Sequence, residues 1–301
     1  MRIHRLVQWL VIMAVLTPNL PAQSVPPLTV QEVLARNING TEQQQMRPIP
    51  HKIMGNLYYV GSETLSSFLV TTPQGHILIN SNFERNVPLI RQSVEKLGFS
   101  FKDIKILLTS HGHNDHVEGD AMVKELTGAQ VMVMAEDVPV EQKITPGGKP
   151  HPIDRVFHDQ DEVALGGTTL VAHLTPAHTP GCTTWTMRIQ EAGQGYNVVI
   201  MGCGLGTGRL VDDNGNITKE ANDYIKSFRL LRTLPCDVFL AAHGPQYNLM
   251  AKYANAGKTP NPFIDPQGYR TELDNWEKYF IAQLSEQVKA ALNKTSNSQQ
   301  R

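Results

Sequence analysis

Apolar residues along the chain form short runs and helical stripes, separated by turn-forming residues. Short runs rich in β-branched residues predict strands. They cover Gly55–Gly61, Ser67–Thr71, His76–Ile79, Ile104–Leu108, Val131–Met134, Thr168–His173, Thr183–Ile189, Tyr196–Met201 and Asp237–Ala241. Apolar positions three or four residues apart predict helices at Val30–Ala35, Val87–Leu97, Asp120–Leu126, Tyr224–Leu234 and in a long final segment, for which Thr271 is a candidate N-cap. Strands and helices alternate throughout, which predicts an α/β (α+β) fold.

The first 22 residues have the layout of a secretory signal peptide. Arg2 and Arg5 precede the apolar run Leu6–Leu16, and Ala22 offers a cleavage position. The run has about 11 residues, whereas a membrane-spanning helix needs about 20. An uncleaved membrane anchor is the alternative. We expect residues 1–22 to be removed and residues 23–301 to form one domain, either periplasmic or secreted.

Charge and cysteine content narrow the functional classes. The 301 residues include 27 Lys and Arg against 28 Asp and Glu, a formal net charge of −1. Nucleic-acid-binding proteins usually carry a basic excess, so nucleic acid is not an expected partner. We also expect no membrane association of the mature form. Three cysteines are too few for a disulfide scaffold, and nothing in the pattern indicates an interface, so a monomer is expected.

Four potential metal ligands lie within six residues, directly after the predicted strand Ile104–Leu108. They are His111, His113, Asp115 and His116. A loop at a strand end can turn such closely spaced side chains toward one point, and imidazole and carboxylate groups are typical zinc ligands. The pattern therefore predicts a metal site, with His111 and His113 serving one ion and Asp115 and His116 a second. A polar loop with incidental histidines is the alternative.

Two further histidines follow predicted strands in the same way. His178 comes after Thr168–His173, and His243 comes after Asp237–Ala241. An isolated histidine is weak evidence for a ligand, but the matching position at a strand end makes both candidates for the same site.

The pattern His111-x-His113-x-Asp115-His116, with His178 and His243, resembles the metallo-β-lactamase superfamily. Three segments resemble the third subclass of class B β-lactamases, and the likeness covers most of residues 45–290: residues 53–80, His178-Thr-Pro-Gly-Cys-Thr-Thr-Trp and Asn261-Pro-Phe-Ile-Asp-Pro-Gln-Gly-Tyr. The resemblance implies a four-layer αββα sandwich of two mixed sheets with helices on the outer faces. It also implies two Zn²⁺ ions, the first held by His111, His113 and His178 and the second by Asp115, His116 and His243.

The resemblance further implies hydrolysis of the β-lactam ring of penicillins, cephalosporins and carbapenems. Two zinc ions lower the pKa of a bound water toward about 7, and Asp115 would be the catalytic residue that orients the resulting hydroxide. Lactonases and thioesterases of the superfamily are the alternative. Many of them carry a further bridging Asp near residues 198–204, where this chain has none. A non-catalytic zinc protein is a third possibility, although six ligands exceed the four of a closed structural site.

Several interpretations of two of the cysteines are open. Cys182 and Cys203 flank the predicted hairpin, and its register would place them opposite each other, as a disulfide in an exported protein requires. Free buried thiols are one alternative, and Cys203 as a zinc ligand is another, since other subclasses use a nearby cysteine.

Gly204 stands where relatives often have a substrate-binding Ser. Thr207 and Arg209 are candidates for holding the substrate carboxylate.

The remaining histidines carry no ligand pattern. Among them, His151 lies in the Gly/Pro-rich loop Pro146–Pro152, which is a candidate cover for the site.

Overall fold

The computed structural model describes residues 29–36, 40–204 and 208–299. The predicted signal peptide and Thr207 lie outside these residues, so the boundary between residues 22 and 23 stays a prediction. Among the described helices, none combines the length and the apolar character needed to cross a membrane.

Twelve described strands form two mixed sheets. The first sheet has seven strands in the order β1 to β7, and the second has five in the order β12-β11-β10-β9-β8. Strands β4 to β7 are parallel, as are β11 and β12. The strands are His51–Met54 (β1), Leu57–Tyr59 (β2), Phe68–Thr72 (β3), Gly75–Ile79 (β4), Ile104–Leu108 (β5), Gln130–Met134 (β6), Arg155–Phe157 (β7), Glu162–Leu165 (β8), Thr168–Leu174 (β9), Thr183–Glu191 (β10), Gln194–Met201 (β11) and Val238–Ala241 (β12).

Helices lie on the outer faces of both sheets. The α-helices are Val30–Ala35 (α1), Glu42–Gln45 (α2), Val87–Lys96 (α3), Asn114–Val117 (α4), Asp120–Thr127 (α5), Val138–Glu141 (α6), Lys219–Leu231 (α7), Leu249–Tyr253 (α8) and Pro266–Gln299 (α9). Helices α3 and α5 pack on the first sheet through one apolar cluster, for example Ile90 and Val123 against Leu107. A larger cluster joins the facing sides of the two sheets and the stripes of α7 and α9. The predicted four-layer αββα sandwich is confirmed.

Several predicted element boundaries are wrong. The strand predicted over Gly55–Gly61 is shorter in the structure, where β2 covers Leu57–Tyr59, because Gly55 lies in the turn of the hairpin that β2 forms with β1 and has φ +52°. Strand β1 was not predicted. The final helix does not begin after Thr271. It begins at Pro266, and the Asp265 carboxylate accepts the Gly268 N–H at 2.8 Å. Proline is well suited to the first helical position, because that residue has no intrahelical bond to donate.

Other elements were misjudged where the sequence signal was weak. Helix α7 begins at Lys219 rather than Tyr224, with Thr218 as its N-cap. Strands β7 and β8 are short and half exposed, so they lack the apolar run that marks the buried strands.

The hairpin of β10 and β11 has the predicted register, with Trp185 opposite Ile200. Beyond the paired residues, Cys182 and Cys203 form a disulfide with a Cα–Cα distance of 6.1 Å. This pairing rules out two free thiols and removes Cys203 from the candidate metal ligands. Cys236 is a free, partly buried cysteine.

Candidate metal centre

The six candidate ligands meet at one edge of the sandwich, beyond the carboxyl ends of strands from both sheets. His111 and His113 follow β5, and the short helix α4 carries Asp115 and His116. The sequence predicted an irregular loop at this position, so α4 is a correction. His178 follows β9 of the second sheet, and His243 follows β12.

The first group consists of His111, His113 and His178. Their ring centroids lie 4.7 to 4.9 Å apart, and one ligand atom from each lies within 4.8 Å of the others. The Nδ1–H of His111 donates to the carbonyl oxygen of Gly202 at 2.8 Å. Its Nε2 is buried without a hydrogen-bond partner, as expected of a nitrogen that faces a metal position. A backbone acceptor on the other ring nitrogen is the usual way to orient a metal-binding histidine.

The second group consists of Asp115, His116 and His243. The Nε2 atom of His116 lies 3.2 Å from Oδ2 of Asp115 and 3.3 Å from Nε2 of His243. The third separation, from Nε2 of His243 to Oδ2 of Asp115, is 3.6 Å. Two ligand atoms about 2.1 Å from a tetrahedral zinc ion are about 3.4 Å apart. The residues therefore fit a zinc ion without large movement.

Burial sets the charge of the imidazoles. Burial, with a smaller effect of the neighbouring histidines, lowers the pKa of His243 to about 3 and that of His178 to about 4. The same causes hold the pKa of His111 well below its usual range. At neutral pH these rings are uncharged, and the neutral ring is the form that binds a metal ion.

The Asp115 carboxyl, unlike the imidazoles, is held in its charged form. Burial alone would raise the pKa of its carboxyl, but interactions with His116 and His243 outweigh that cause and hold the pKa well below its usual range. The site therefore offers one ionised carboxylate among neutral imidazoles. That combination of donors suits zinc.

Sequence reasoning missed a residue that joins the two ligand loops. The buried carboxylate of Asp137 accepts the Gly112 N–H at 2.8 Å, the Thr179 hydroxyl at 2.7 Å and the Gly181 N–H at 2.6 Å. It thus ties the loop of His111 to the loop of His178. A usable signal existed, because Asp137 comes shortly after β6, which is parallel to β5 and next to it.

The two candidate substrate contacts receive no support from the geometry. Thr207 lies outside the described residues. Arg209 is 58% exposed in its side chain and pairs with Asp213 at 2.7 Å, while its Nε donates to the carbonyl of Val211 at 3.1 Å. Within the described part of the chain, none of its hydrogen bonds or ion pairs reaches the metal centre. Both substrate roles remain predictions.

Comparison with known proteins settles the family. A sequence model of the metallo-beta-lactamase superfamily matches residues 63–243, which include all six candidate ligands. The chain belongs to the metallo-β-lactamase superfamily.

Two solved structures are similar over most of their length. The FEZ-1 metallo-beta-lactamase from Legionella gormanii is 43% identical, the match covers 80% of this chain and 97% of the FEZ-1 chain, and the TM-score is 0.74. The class B3 di-zinc metallo-beta-lactamase LRA-12, from an Alaskan soil metagenome, is 28% identical, covers 81% and 97%, and has a TM-score of 0.72.

Several curated sequence relatives of this metallo-β-lactamase superfamily member are named as enzymes other than β-lactamases. A hydroxyacylglutathione hydrolase of Cereibacter sphaeroides is 28% identical over 163 residues, which are 53% of this chain and 55% of the relative. The chain spans about half the length or less of the curated relatives it matches. A hydrolase of this superfamily with a metal-binding group of histidines and aspartate is therefore established, and the substrate is a separate question.

Proposed function

We propose that the chain is a zinc-dependent hydrolase that opens the β-lactam ring of penicillins, cephalosporins and carbapenems. The observation that carries the proposal is the likeness to FEZ-1, which extends over 97% of that β-lactamase. The likeness to curated hydroxyacylglutathione hydrolases extends over much less of each relative. A shared ligand pattern can explain a match over part of the fold, whereas a match over 80% of this chain also includes segments outside the ligand pattern.

The segment after β11 also supports the β-lactam reading. The superfamily resemblance implies a bridging Asp in this region for many lactonases and thioesterases. Here the residues are Gly202, Cys203 and Gly204, and Cys203 is in a disulfide. Gly202 contributes its carbonyl oxygen to the orientation of His111, so this strand end positions a ligand and supplies no carboxylate.

The residues present fit two zinc ions, with His111, His113 and His178 as one ligand set and Asp115, His116 and His243 as the other. Bound zinc would polarise the lactam carbonyl and make a water molecule a stronger nucleophile at neutral pH. Because the Asp115 carboxylate stays ionised, it can accept a hydrogen bond from water and orient it. His113 and His178 are less buried than His111, which leaves that side of the site accessible to substrate.

A thioesterase is the second candidate, favoured by the hydroxyacylglutathione hydrolases among the sequence relatives. Hydrolysis of a thioester needs the same polarised carbonyl and the same oriented water. The ligand set alone therefore does not separate the two activities. The two activities differ instead in the shape of the cleft that they need and in the presence of a bridging carboxylate.

A substrate panel tests the proposal. The zinc-loaded protein is assayed with a penicillin, a cephalosporin, a carbapenem, an acyl-homoserine lactone and S-lactoylglutathione, each with and without a chelator. We expect chelator-sensitive hydrolysis of the β-lactams, with kcat/KM well above that for the thioester and the lactone. Chelator-sensitive cleavage of the thioester or the lactone without β-lactam hydrolysis would replace this proposal by the alternative.

We also propose that the mature protein acts as a monomer outside the cytoplasm. The disulfide between Cys182 and Cys203 supports export, since disulfides persist mainly in oxidising compartments. Amino-terminal sequencing of the protein from a periplasmic extract should begin at Gln23. A first residue within the segment 1–10 would contradict cleavage.

A further inference from the structure

A second group of metal-ligating side chains lies outside the centre described above. Asp120 begins α5, Glu141 ends α6, and His151 lies in the loop before β7. All three side chains are fully buried, and one ligand atom from each lies within 4.8 Å of the others. The sequence assigned His151 no ligand pattern and placed it in a loop that covers the site. Its side chain is instead enclosed between two carboxylates.

Each carboxylate is oriented by a hydroxyl group. Ser81 Oγ donates to Oδ1 of Asp120 at 2.5 Å, and Thr109 Oγ1 donates to Oε1 of Glu141 at 3.4 Å. The other oxygen of each carboxylate is buried, as are both ring nitrogens of His151. None of these atoms has a hydrogen-bond partner among the described residues. Carboxylates held by an outer hydrogen bond, with the second oxygen left over, are typical of metal ligands.

The imidazole of His151 lies between the two carboxylates, and each ring nitrogen faces one of them. Nε2 of His151 lies 3.3 Å from Oδ2 of Asp120, and Nδ1 lies 3.6 Å from Oε2 of Glu141. Charge-assisted hydrogen bonds between such groups are shorter, about 2.7–2.9 Å. Neighbouring ligands of a zinc ion are about 3.4 Å apart, which is the spacing of His151 Nε2 and Asp120 Oδ2. The contact of Glu141 ends on the opposite ring nitrogen, so one ion would use a single nitrogen of His151, and Glu141 belongs to the group because one of its oxygens lies within 4.8 Å of the other ligand atoms.

Charge also favours a cation here. Among the described residues, neither Asp120 nor Glu141 forms an ion pair with a lysine or arginine. His151 can carry at most one positive charge, so two ionised carboxylates here would leave one buried negative charge without compensation, which is costly. Burial, together with Asp120 and Asp137, raises the pKa of Glu141 well above its usual range, so a nearby cation would favour its ionised form.

We propose that Asp120, Glu141 and His151 form a further metal site, which binds a divalent cation of the zinc type through two carboxylates and one imidazole. The site is separate from the histidine centre. Because no ligand is exposed, it is structural and would fasten α5, α6 and the His151 loop together. This proposal does not rest on the β-lactamase activity, since it concerns metal content alone.

Metal stoichiometry tests it. The full chain is equilibrated with Zn²⁺, passed through a desalting column and analysed by inductively coupled plasma mass spectrometry. We expect about three zinc ions per chain in the parent and one fewer in Glu141→Gln, which keeps the shape of the side chain. The matched control is Glu125→Gln, since Glu125 lies on α5 and is exposed, paired with Lys149; it should keep the parental count.

The outcome remains decisive if one variant folds poorly. Circular dichroism checks each variant, and Asp120→Asn and His151→Gln serve as replacements for Glu141→Gln. Two zinc ions in the folded parent, and two in a folded variant of the group, would overturn the proposal. Three ions in the parent, with no loss in a folded variant of the group, would place the third ion elsewhere and overturn it as well.

Discussion

The Nδ1–H of His111 donates to the carbonyl oxygen of Gly202 at 2.8 Å, so the backbone of one sheet orients a metal ligand of the other. His111 follows β5 of the first sheet, and Gly202 follows β11 of the second. Cys203, the next residue, is bonded to Cys182 in the segment that carries His178. The two ligand-bearing loops are therefore fixed relative to each other through one hydrogen bond and one disulfide.

Loss of the disulfide should weaken both stability and zinc binding. In the parent, the disulfide closes a segment with a sequence separation of 21. Replacing both cysteines, as Cys182→Ser with Cys203→Ser, opens that loop and should lower the free energy of unfolding by about 3 kcal/mol. Zinc affinity, measured by competition with a chromophoric chelator, should fall several-fold, because Gly202 is then held less firmly. Cys236→Ser is the control and should keep the parental affinity; equal affinity in all three proteins would contradict the positioning role.

Asp137 should matter for metal binding although it is no ligand. Asp137→Asn replaces a carboxylate that accepts three hydrogen bonds with an amide that repels at least one of the donors. Removing such outer partners typically lowers metal affinity about 10- to 100-fold. Zinc titration with a competing chelator measures the change. Asp161→Asn, in an exposed turn where the carboxylate accepts the His158 N–H, should leave the affinity as it is, and a similar loss in both variants would count against the role of Asp137.

Ligand removal should abolish activity through loss of metal. In His116→Ala the second group loses the residue that lies within 3.3 Å of both other ligands. A metal ion contributes several kcal/mol to transition-state stabilisation, so kcat/KM should fall about 100-fold or more. His158→Ala is the matched control, since that ring is 70% exposed. Parental activity and zinc content in His116→Ala would rule out the assigned ligand set.

A buried carboxyl outside the centre should make stability depend on pH. Glu272 pairs with Arg36 at 2.7 Å, but burial, which outweighs the effect of Arg36, raises its pKa to about 7. The folded state then binds more protons than the unfolded state, so this group stabilises the fold below pH about 4.5 and the contribution is lost as the pH rises to about 7. The loss is at most about 3 kcal/mol.

Urea unfolding at pH 5 and pH 7.5, at one fixed zinc concentration, measures that contribution. Glu272→Gln should reduce the pH dependence relative to the parent. Glu277→Gln, which removes an exposed partner of Arg232, should behave as the parent does. An unchanged pH dependence in Glu272→Gln would show that Glu272 titrates normally.

The sequence predicted the parts of the site that depend on short distances along the chain. The apolar run Ile104–Leu108 marks β5, and the ligands come directly after it, so their position at a strand end could be read from the order of residues. The pairing of Cys182 with Cys203 followed from the register of one hairpin. Both inferences involve neighbouring elements only.

The sequence could not predict distant contacts of residues that carry no ligand pattern and follow no predicted strand directly. Asp137 binds Gly181, and His151 packs against Asp120, only after the sheets have assembled. The start of α9 was misplaced because two capping signals compete, one at Thr271 and one at Asp265. The earlier start is favoured by packing of the first turn, where Tyr269 is buried and its hydroxyl donates to the carbonyl of Leu231 at 2.6 Å.

The most direct test of the central claim is the restoration of β-lactam hydrolysis by zinc. The protein is stripped of metal, and kcat/KM for a penicillin and for S-lactoylglutathione is measured before and after Zn²⁺ is returned. We predict that penicillin hydrolysis is absent in the stripped protein, returns with zinc, and exceeds thioester hydrolysis throughout. Penicillin hydrolysis that persists without metal, or zinc-restored activity on the thioester alone, would contradict the account.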